Sequence, residues 1–555
     1  MNVDWRSRFG RSWITTVRHQ GGSNNCWAFA ATAMYEAMTR IEHCLWTRRS
    51  ESDVAQGTGK QSWDLGNIGE ATIFVERYGL ADPDCYPWTE AAGLYTSKPH
   101  GGEMRATPLS PTPDRAGRSL RVGAGHAVSI SDPAQKREWI DLVGPMAVIV
   151  VPPVDFGALG TGIYMPTTTA LGGAHALLVV GFNDDERYWI VKNSWGLGWG
   201  DGGFGRVSYD AGLLEAVGFT GVRGINPDPW AKRRLRTGSL IQSGNGAGRN
   251  NFELFVRVGA TIEHWYRENA DPKLPWVRVG VVRSGDVWRD TFHDDALDTP
   301  AAVQSSFARD YELVYRSSYG RLRHVYFDQA SGWWNDATLF GPVNPVGIPG
   351  FIQGDRGAPG DFEVVVVTDD GRAEHWTKHN SHPWTQPPGT WYLRSSFGSD
   401  FAYGGPSLVQ SKLGVTGSPE NGLGELHYVG TAHDGTMRHY RRRNDRWRRV
   451  TTFGQGITSA PCLIEGTYGA GSEMGIGNFE LCVAANGSIE HWWRYNTTPG
   501  PWVRSAVFGD GVRRVVSLIQ SSFATNLELV AERDDGGHQH YWRDATGWHA
   551  GPVVL

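Results

Sequence analysis

Apolar residues recur at helical spacing twice near the start of the chain, through Ala30, Ala33, Met34, Ala37, Met38 and Ile41, and again from Ala71 to Tyr78. That period predicts two amphipathic helices. Strand-like apolar runs follow at Met146–Val151, Ala176–Phe182 and Tyr188–Lys192. After Pro227 the helical periods vanish, and short alternating segments bounded by turn residues predict an all-β region to the end. The stretch NPDPWAKRRLRTG (Asn226–Gly238) is the natural junction. The pattern predicts a mixed domain over 1–222, a linker or ring-closing strand over 223–238, and a β region over 239–555.

The β region repeats itself. LIQS at Leu240 returns as FIQG at Phe351, LVQS at Leu408, LIEG at Leu463 and LIQS at Leu518. A second strand carries an acidic residue at a fixed place: NFELFV at Asn251, DYELVY at Asp310, DFEVVV at Asp361, NFELCV at Asn478 and NLELVA at Asn526. A third carries histidine before a usually aromatic residue: His264-Trp265, His324-Val325, His375-Trp376, His439-Tyr440, His491-Trp492 and His540-Tyr541. A fourth is marked by Trp276, Trp333, Trp391, Trp447, Trp502 and Trp548. Four short strands per repeat is the sequence form of a propeller blade. Six repeats predict six blades; the stray Trp230 strand leaves a seventh, partial blade open, and a solenoid of the same period is the alternative.

Composition narrows the class. At 555 residues the length prior is three to four domains, and 40% hydrophobic with 20% charged residues excludes a disordered chain. The longest apolar runs stop near ten residues, so no membrane span is expected. The opening MNVDWRSRFGRSW has no apolar signal core, which predicts a cytoplasmic protein or one exported without a classical signal. A net charge of −5 gives no general pull toward nucleic acid. Five cysteines cannot form a disulfide framework, and the odd number leaves a free thiol.

The chemistry concentrates in VRHQGGSNNCWAFAATAMYEA (Val17–Ala37). A cysteine opening an amphipathic helix sits at the positive end of the helix dipole, which favours thiolate, and Asn24 and Asn25 are good N-cap types. Later come GGAHALLVVGF, with His175 opening a strand, and YWIVKNSWGLGWGDGGFGRV, with Asn193 ending the next. Cys26, His175 and Asn193 in that order supply a nucleophile, its base and a neutral orienter for the imidazole. No Cys/His spacing matches a zinc site, no Gly-rich phosphate loop precedes a helix, and no cofactor is expected.

These three motifs resemble the papain-family cysteine peptidases over nearly all of residues 2–222. The resemblance implies a two-lobed α+β fold with a peptide or protein substrate in the cleft between Cys26 and His175. It implies that Gln20 donates to the oxyanion hole, that Trp195 covers the Asn193–His175 hydrogen bond, and that Gly66 lies along the substrate backbone. Papain-type pairing lowers a cysteine to about 3–4, a shift worth roughly 6–7 kcal/mol in favour of the charged pair. The sequence departs from the family at Ser23 and Trp63, where it has a disulfide, and at Ala174, where Asp or Asn often precedes the histidine. With no propeptide-like text ahead of residue 1, the expectation is a mature-like product or a form that needs no propeptide. His126, in GAGHAVSI, imitates the His-Ala motif without a following Asn-Ser-Trp strand. Cys44 and Cys85 are either bridged or two free thiols; Cys462 and Cys482 read as core residues.

The repeats resemble bacterial β-propeller lectins, including fucose-binding ones, in the LIQS, NFELVV-like and HYWR strings. In that reading His264, Trp265, His375, Trp376, His491, Trp492, His540 and Tyr541 wall shallow sugar pockets; in the plainer one they cement the blades. The run RHYRRRNDRWRR (Arg438–Arg449) holds seven Arg in twelve residues and reads either as a solvated strand face or as a site for phosphates or sulfated glycans. The whole is therefore expected to be a multidomain chain, a peptidase targeted to glycans or glycoproteins by a propeller. The alternative is a lectin-like adhesion or interaction protein with an inert peptidase fold. A transglutaminase-type transferase shares the Cys-His order but not the surrounding text.

Overall fold

The computed structural model describes residues 1–8, 12–43, 47–83, 85–86, 88, 111, 115–227, 238–243, 251–269, 271, 273–282, 295–305, 310–329, 331–356, 360–380, 390–411, 413, 424–469, 477–496, 500–521 and 526–555. Cys44, Trp230 and positions 228–237 of the expected linker lie outside them. The described residues fall into two compact units, those up to 227 and those from 238 on. No described helix is long and apolar enough to cross a membrane.

In the first unit the two helical periods become α1 (Cys26–His43) and, third along the chain, α3 (Ile68–Tyr78), whose start is capped by Asn67 Oδ1 accepting from Glu70 N–H. Between them α2 (Glu51–Gly57) is capped by Ser50 Oγ, which accepts from Asp53 N–H. A fourth helix, α4 (Pro133–Leu142), buries only Lys136 and Ile140, too few positions to leave an apolar period in the sequence. The expected strands pair in one sheet in the order Ala127–Ile130, Phe219–Val222, Met146–Val150, His175–Asn183, Tyr188–Lys192, Phe204–Ser208 and Ile163–Tyr164. Asn2–Asp4 also pairs with His175–Asn183. α1 packs across the strand His175–Asn183 and is buried on nearly every side, so it carries Glu36 and Arg40 into the interior with its apolar residues.

The second unit is all β. Its described strands form six antiparallel sheets in chain order, five of four strands and one, over 401–453, of five. First strands of neighbouring sheets meet, Leu240–Gln242 touching both Ala301–Gln304 and Val512–Gln520. Apolar clusters fill the joint between each sheet and the next, Phe255 with Tyr311 and Leu313, Ile352 with Tyr428, Val429 with Leu481, and Cys482 with Leu529. A further cluster joins Leu240 and Phe252 of the first sheet to Val516 and Val530 of the sixth, and also spans the second and third sheets. There Ser239 Oγ donates to Val516 O at 3.5 Å and Ser517 Oγ to Leu240 O at 3.4 Å.

Two interactions repeat around these sheets. The acidic residue of the second strand meets the histidine of the third: Glu253–His264 at 2.7 Å, Glu312–His324 at 2.8 Å, Glu363–His375 at 2.7 Å, Glu480–His491 at 2.8 Å and Glu528–His540 at 2.8 Å. In the fourth sheet His427 stands in the acidic place and bonds His439 at 2.9 Å. The fourth-strand tryptophan stacks on a phenylalanine of the preceding sheet: Phe340–Trp391 at 4.0 Å, Phe397–Trp447 at 4.2 Å, Phe453–Trp502 at 4.6 Å and Phe508–Trp548 at 4.4 Å. A glycine with positive φ (88°, 72°, 75° and 73°) follows each of these phenylalanines, where any other residue would be strained.

Two expectations are corrected by this arrangement. His264, His375, His491 and His540 do not wall open sugar pockets: they lie within the sheets, bonded to glutamates and covered by the adjoining sheet. Their neighbours Trp265, Trp376 and Trp492 are partly buried and turn their indole N–H to Glu263, Glu374 and Glu490, while Tyr541 is buried against Phe508. In the second repeat the register sets Trp334, not Trp333, opposite Phe327; Trp334 packs on Phe255, and Trp333 is 58% exposed. Cys462 and Cys482 face each other across the ladder, unbridged and buried.

Because Glu363 and His375 are both buried, removing one strands the other. His375→Ala should destabilise the second unit by about 1–3 kcal/mol. Chemical unfolding followed by tryptophan fluorescence measures this, and an unchanged midpoint would show that the pair carries no structural weight.

Candidate active site

Cys26 is the first residue of α1 and is 7% exposed, with Sγ 4.0 Å from Asn24 O. The chain before it is held to the loop at 61–63. Asn24 N–H donates to Ser62 O at 2.6 Å, Asn24 Nδ2 to Trp63 O at 2.7 Å and Asn25 Nδ2 to Gln61 O at 3.1 Å. These three bonds join the two segments that a Ser23–Trp63 pair of cysteines would have linked, and they occupy Asn24 and Asn25 in place of the expected side-chain cap. Ser23 Oγ donates instead to Gln20 O.

His175 opens its strand and is 5% exposed. Its Nε2 bonds Asn193 Oδ1 at 2.7 Å, and its ring stacks on Trp195 with centroids 4.3 Å apart. Trp195 is in turn braced by Phe156 and Trp199. Asn193 is fixed at the end of its strand by its own N–H, which donates to Gly203 O at 3.0 Å. With Nε2 engaged, Nδ1 is the ring nitrogen left to exchange a proton.

Cys26, His175, Gln20 and Trp195 line one cavity of about 290 Å³ with Asn24, Leu65, Phe156 and a wall from Pro152 to Val154. No charged side chain is among its lining residues. Gln20 is buried; its Nε2 donates to Ser23 O at 2.7 Å and its Oε1 accepts from Ser194 Oγ at 2.6 Å, which leaves one amide hydrogen uncommitted. Leu65 lines the cavity, whereas Gly66 lies against Trp27: a Cβ on Gly66 would stand 2.3 Å from the indole. His126 is elsewhere, its Nε2 2.5 Å from Tyr35 Oη and its Nδ1 3.6 Å from Glu76.

Burial acts on the two titratable groups in opposite senses. It pushes the Cys26 thiol above its ordinary value and His175 down to about 4, with the Asn193 hydrogen bond opposing the second shift. Each group alone thus resists charge.

Beneath the cavity lies a charged network absent from the sequence reading. Arg18 pairs with both Glu36 and Glu51, Glu36 Oε2 accepts from Thr15 Oγ1 at 2.5 Å, and Lys192 Nζ donates to Thr15 Oγ1 at 3.2 Å. Burial lowers Lys192 to about 8, with Glu36 opposing the shift. Arg18 and Lys192 lie two residues before Gln20 and one before Asn193, so the network fixes the segments that carry both. The signal for it was Glu36, a carboxylate inside the apolar period of α1.

The first unit is similar in sequence to known proteins. Residues 1–218 match the model of the papain family cysteine proteases. Ananain of Ananas comosus is 29% identical over 226 residues, 40% of this chain and 59% of that protein. The cathepsin L-like proteinase of Fasciola hepatica is 28% identical over 221 residues, 39% of this chain and 62% of that protein. The solved structure of the digestive procathepsin L2 proteinase from Tenebrio molitor larval midgut is similar at 23% identity and a TM-score of 0.33, over 40% of this chain and 67% of that one. The chain thus spans about three fifths of the length of the curated relatives it matches. A helix-borne cysteine and a strand-borne histidine held by asparagine under tryptophan, within the matched segment, make residues 1–218 a papain-family cysteine peptidase domain.

Proposed function

We propose that this protein hydrolyses peptide bonds through Cys26 and His175, and that its six sheets form a six-bladed propeller that holds the peptidase at a glycan-bearing target. The observation that carries the first part is the His175 ring, anchored at Nε2 by Asn193 and covered by Trp195, on the same cavity as Cys26 and Gln20. The thiol proton passes to His175 Nδ1, and the two opposite charges then offset each other's burial. The thiolate attacks the substrate carbonyl carbon. The oxyanion accepts hydrogen bonds from Cys26 N–H and the uncommitted Gln20 amide hydrogen. His175 returns its proton to the leaving amine as the C–N bond breaks, leaving a thioester on Cys26. Water, losing a proton to His175, attacks the thioester; the acid product leaves and the thiol is restored. Ser23 and Trp63 do not weaken this reading, since hydrogen bonds from Asn24 and Asn25 tie the same segments.

Support for the propeller is the sequential packing of the six sheets and the apolar joint between sixth and first. Asp355 N–H donates to Gln410 Oε1 and Thr467 N–H to Gln520 Oε1, tying LIQS-type strands to the preceding sheet, while the joint between the sixth and first sheets favours radial closure over an open solenoid. An inert peptidase fold is disfavoured by the presence of Cys26, His175, Asn193 and Gln20 together.

Iodoacetamide at pH 6 should label Cys26 well before Cys462 and Cys482, whose thiols burial pushes up. His175→Ala removes the imidazolium and leaves burial alone, so labelling of Cys26 should then begin only above the ordinary thiol value of 9.0. Equal labelling of the three at pH 6, or no effect of His175→Ala, contradicts the ion pair.

The converse holds for the ring. In Cys26→Ala, His175 should stay neutral down to about pH 4. Its folded-state value then lies below the ordinary 6.5, so its contribution to stability is present at neutral pH and lost as pH falls from about 6.5 to about 4. Histidine-labelled NMR titration measures this; the unaltered protein should keep the ring protonated at pH 6, and identical titrations in the two proteins would count against proton transfer.

A further inference from the structure

We propose that the hairpin 437–453 of the fourth sheet binds a sulfated glycan through arginines on its two faces, with Asp445 as the internal counter-ion that a sulfate displaces. This inference rests on the reading of the second unit as glycan-binding. It replaces the aromatic pockets between sheets, whose residues are buried or committed to glutamate partners, with a charged site at one sheet's outer edge.

On one face, Arg442 Nη2, Arg356 Nη2 and Arg394 Nη2 all converge on Asp445 Oδ1, at 2.7, 3.2 and 3.4 Å. Three guanidinium groups share one carboxylate oxygen, and Arg442 Nε is buried without a partner. Arg442 is nearly inaccessible, whereas the Asp445 side chain is 64% exposed. The turn that presents it has positive φ at both Asn444 (48°) and Asp445 (61°), a tight hairpin turn that fixes the carboxylate at the tip. A sulfate offers three outward oxygens, whereas the three guanidinium groups meet at Oδ1 of Asp445 alone, so a sulfate would spread the donors of the trio over more acceptors.

The other face is equally one-sided. Arg441 and Arg443 reach the single carboxylate of Glu425 at 3.7 and 3.5 Å. Directly across the ladder from them stand Arg448 and Arg446, both exposed and without a hydrogen bond or ion pair among the described residues. Two successive Arg–Arg pairs across a ladder destabilise a hairpin. In a chain whose net charge is −5 this hairpin is a local concentration of positive charge, and an anionic partner would relieve its Arg–Arg repulsion.

The aromatic residues decide which polyanion. Trp447 is stacked on Phe397, and Tyr440 is packed against Phe397 and Phe401, so neither offers a free face to a nucleobase. Sulfate groups need no such face.

The test uses the full-length protein over immobilised heparin, chemically desulfated heparin, a neutral mucin-type glycan and a single-stranded oligonucleotide, read by interferometry at physiological salt. Heparin should bind more tightly than its desulfated form or the oligonucleotide. The doubly substituted Arg441→Ser/Arg443→Ser protein should lose about tenfold or more in heparin affinity, and Asp445→Asn, which removes the competitor, should gain. A purely structural Asp445 predicts a loss or no change in that variant and overturns the proposal. So does equal binding to desulfated heparin, tighter binding to the oligonucleotide, or a double variant that binds as before. Capture by the neutral glycan alone leaves the glycan-binding reading standing while this site falls; capture by none of the carbohydrates removes both.

Discussion

Burial sets Cys26 and His175 against charge, one by raising its thiol and the other by lowering its ring to about 4, and the proposed chemistry needs both charged at once. The two shifts are compatible with catalysis only if each group supplies the other's counter-charge. Everything around them holds that relation. Asn193 consumes Nε2 so that Nδ1 alone can exchange the proton, and Trp195 stacks on the ring so held. The three hydrogen bonds between 24–25 and 61–63 hold the start of α1 in place without a disulfide. Below, Arg18, Glu36, Glu51 and Lys192 balance one another in the interior, and replacing one of them would leave a buried charge uncompensated behind the site.

The second unit solves a different problem with repeated means. Five of the six sheets carry a glutamate in the second strand and a histidine in the third, and bond the two to each other. The Phe–Trp stacks then set how neighbouring sheets meet. The fourth sheet breaks both the glutamate rule, with His427, and the charge balance, with its arginine-rich hairpin. A repeat that departs from its siblings in two ways is where a function particular to one sheet would lie.

α1 and α3 were legible because each shows an apolar face to the core over several turns; α4 was not, because it buries only Lys136 and Ile140. The chemical residues were legible through local text, Cys-Trp-Ala-Phe, His-Ala and Asn-Ser-Trp-Gly. The charged network beneath them was not, since its members come from four separate segments and only packing brings Arg18 to Glu51. In the repeats, alternation told which side chains share a face but not whether the next sheet covers it. That is why His375 and His491 read as pocket walls and proved to be interior. A one-residue difference in register similarly separates Trp333 from Trp334, and the Phe-Gly pairs that receive the tryptophans leave no periodic signal because they lie at strand ends.

The proposed chemistry passes through a covalent thioester on Cys26, which can be seen directly. Rapid acid quench of the protein with an activated peptide ester, followed by mass spectrometry of the digested chain, should find the acyl group on the peptide that contains Cys26 and none in Cys26→Ala. In His175→Ala the adduct should form far more slowly. An ester or peptide turned over at the same rate by Cys26→Ala, or an acyl group found on another residue, would contradict the account.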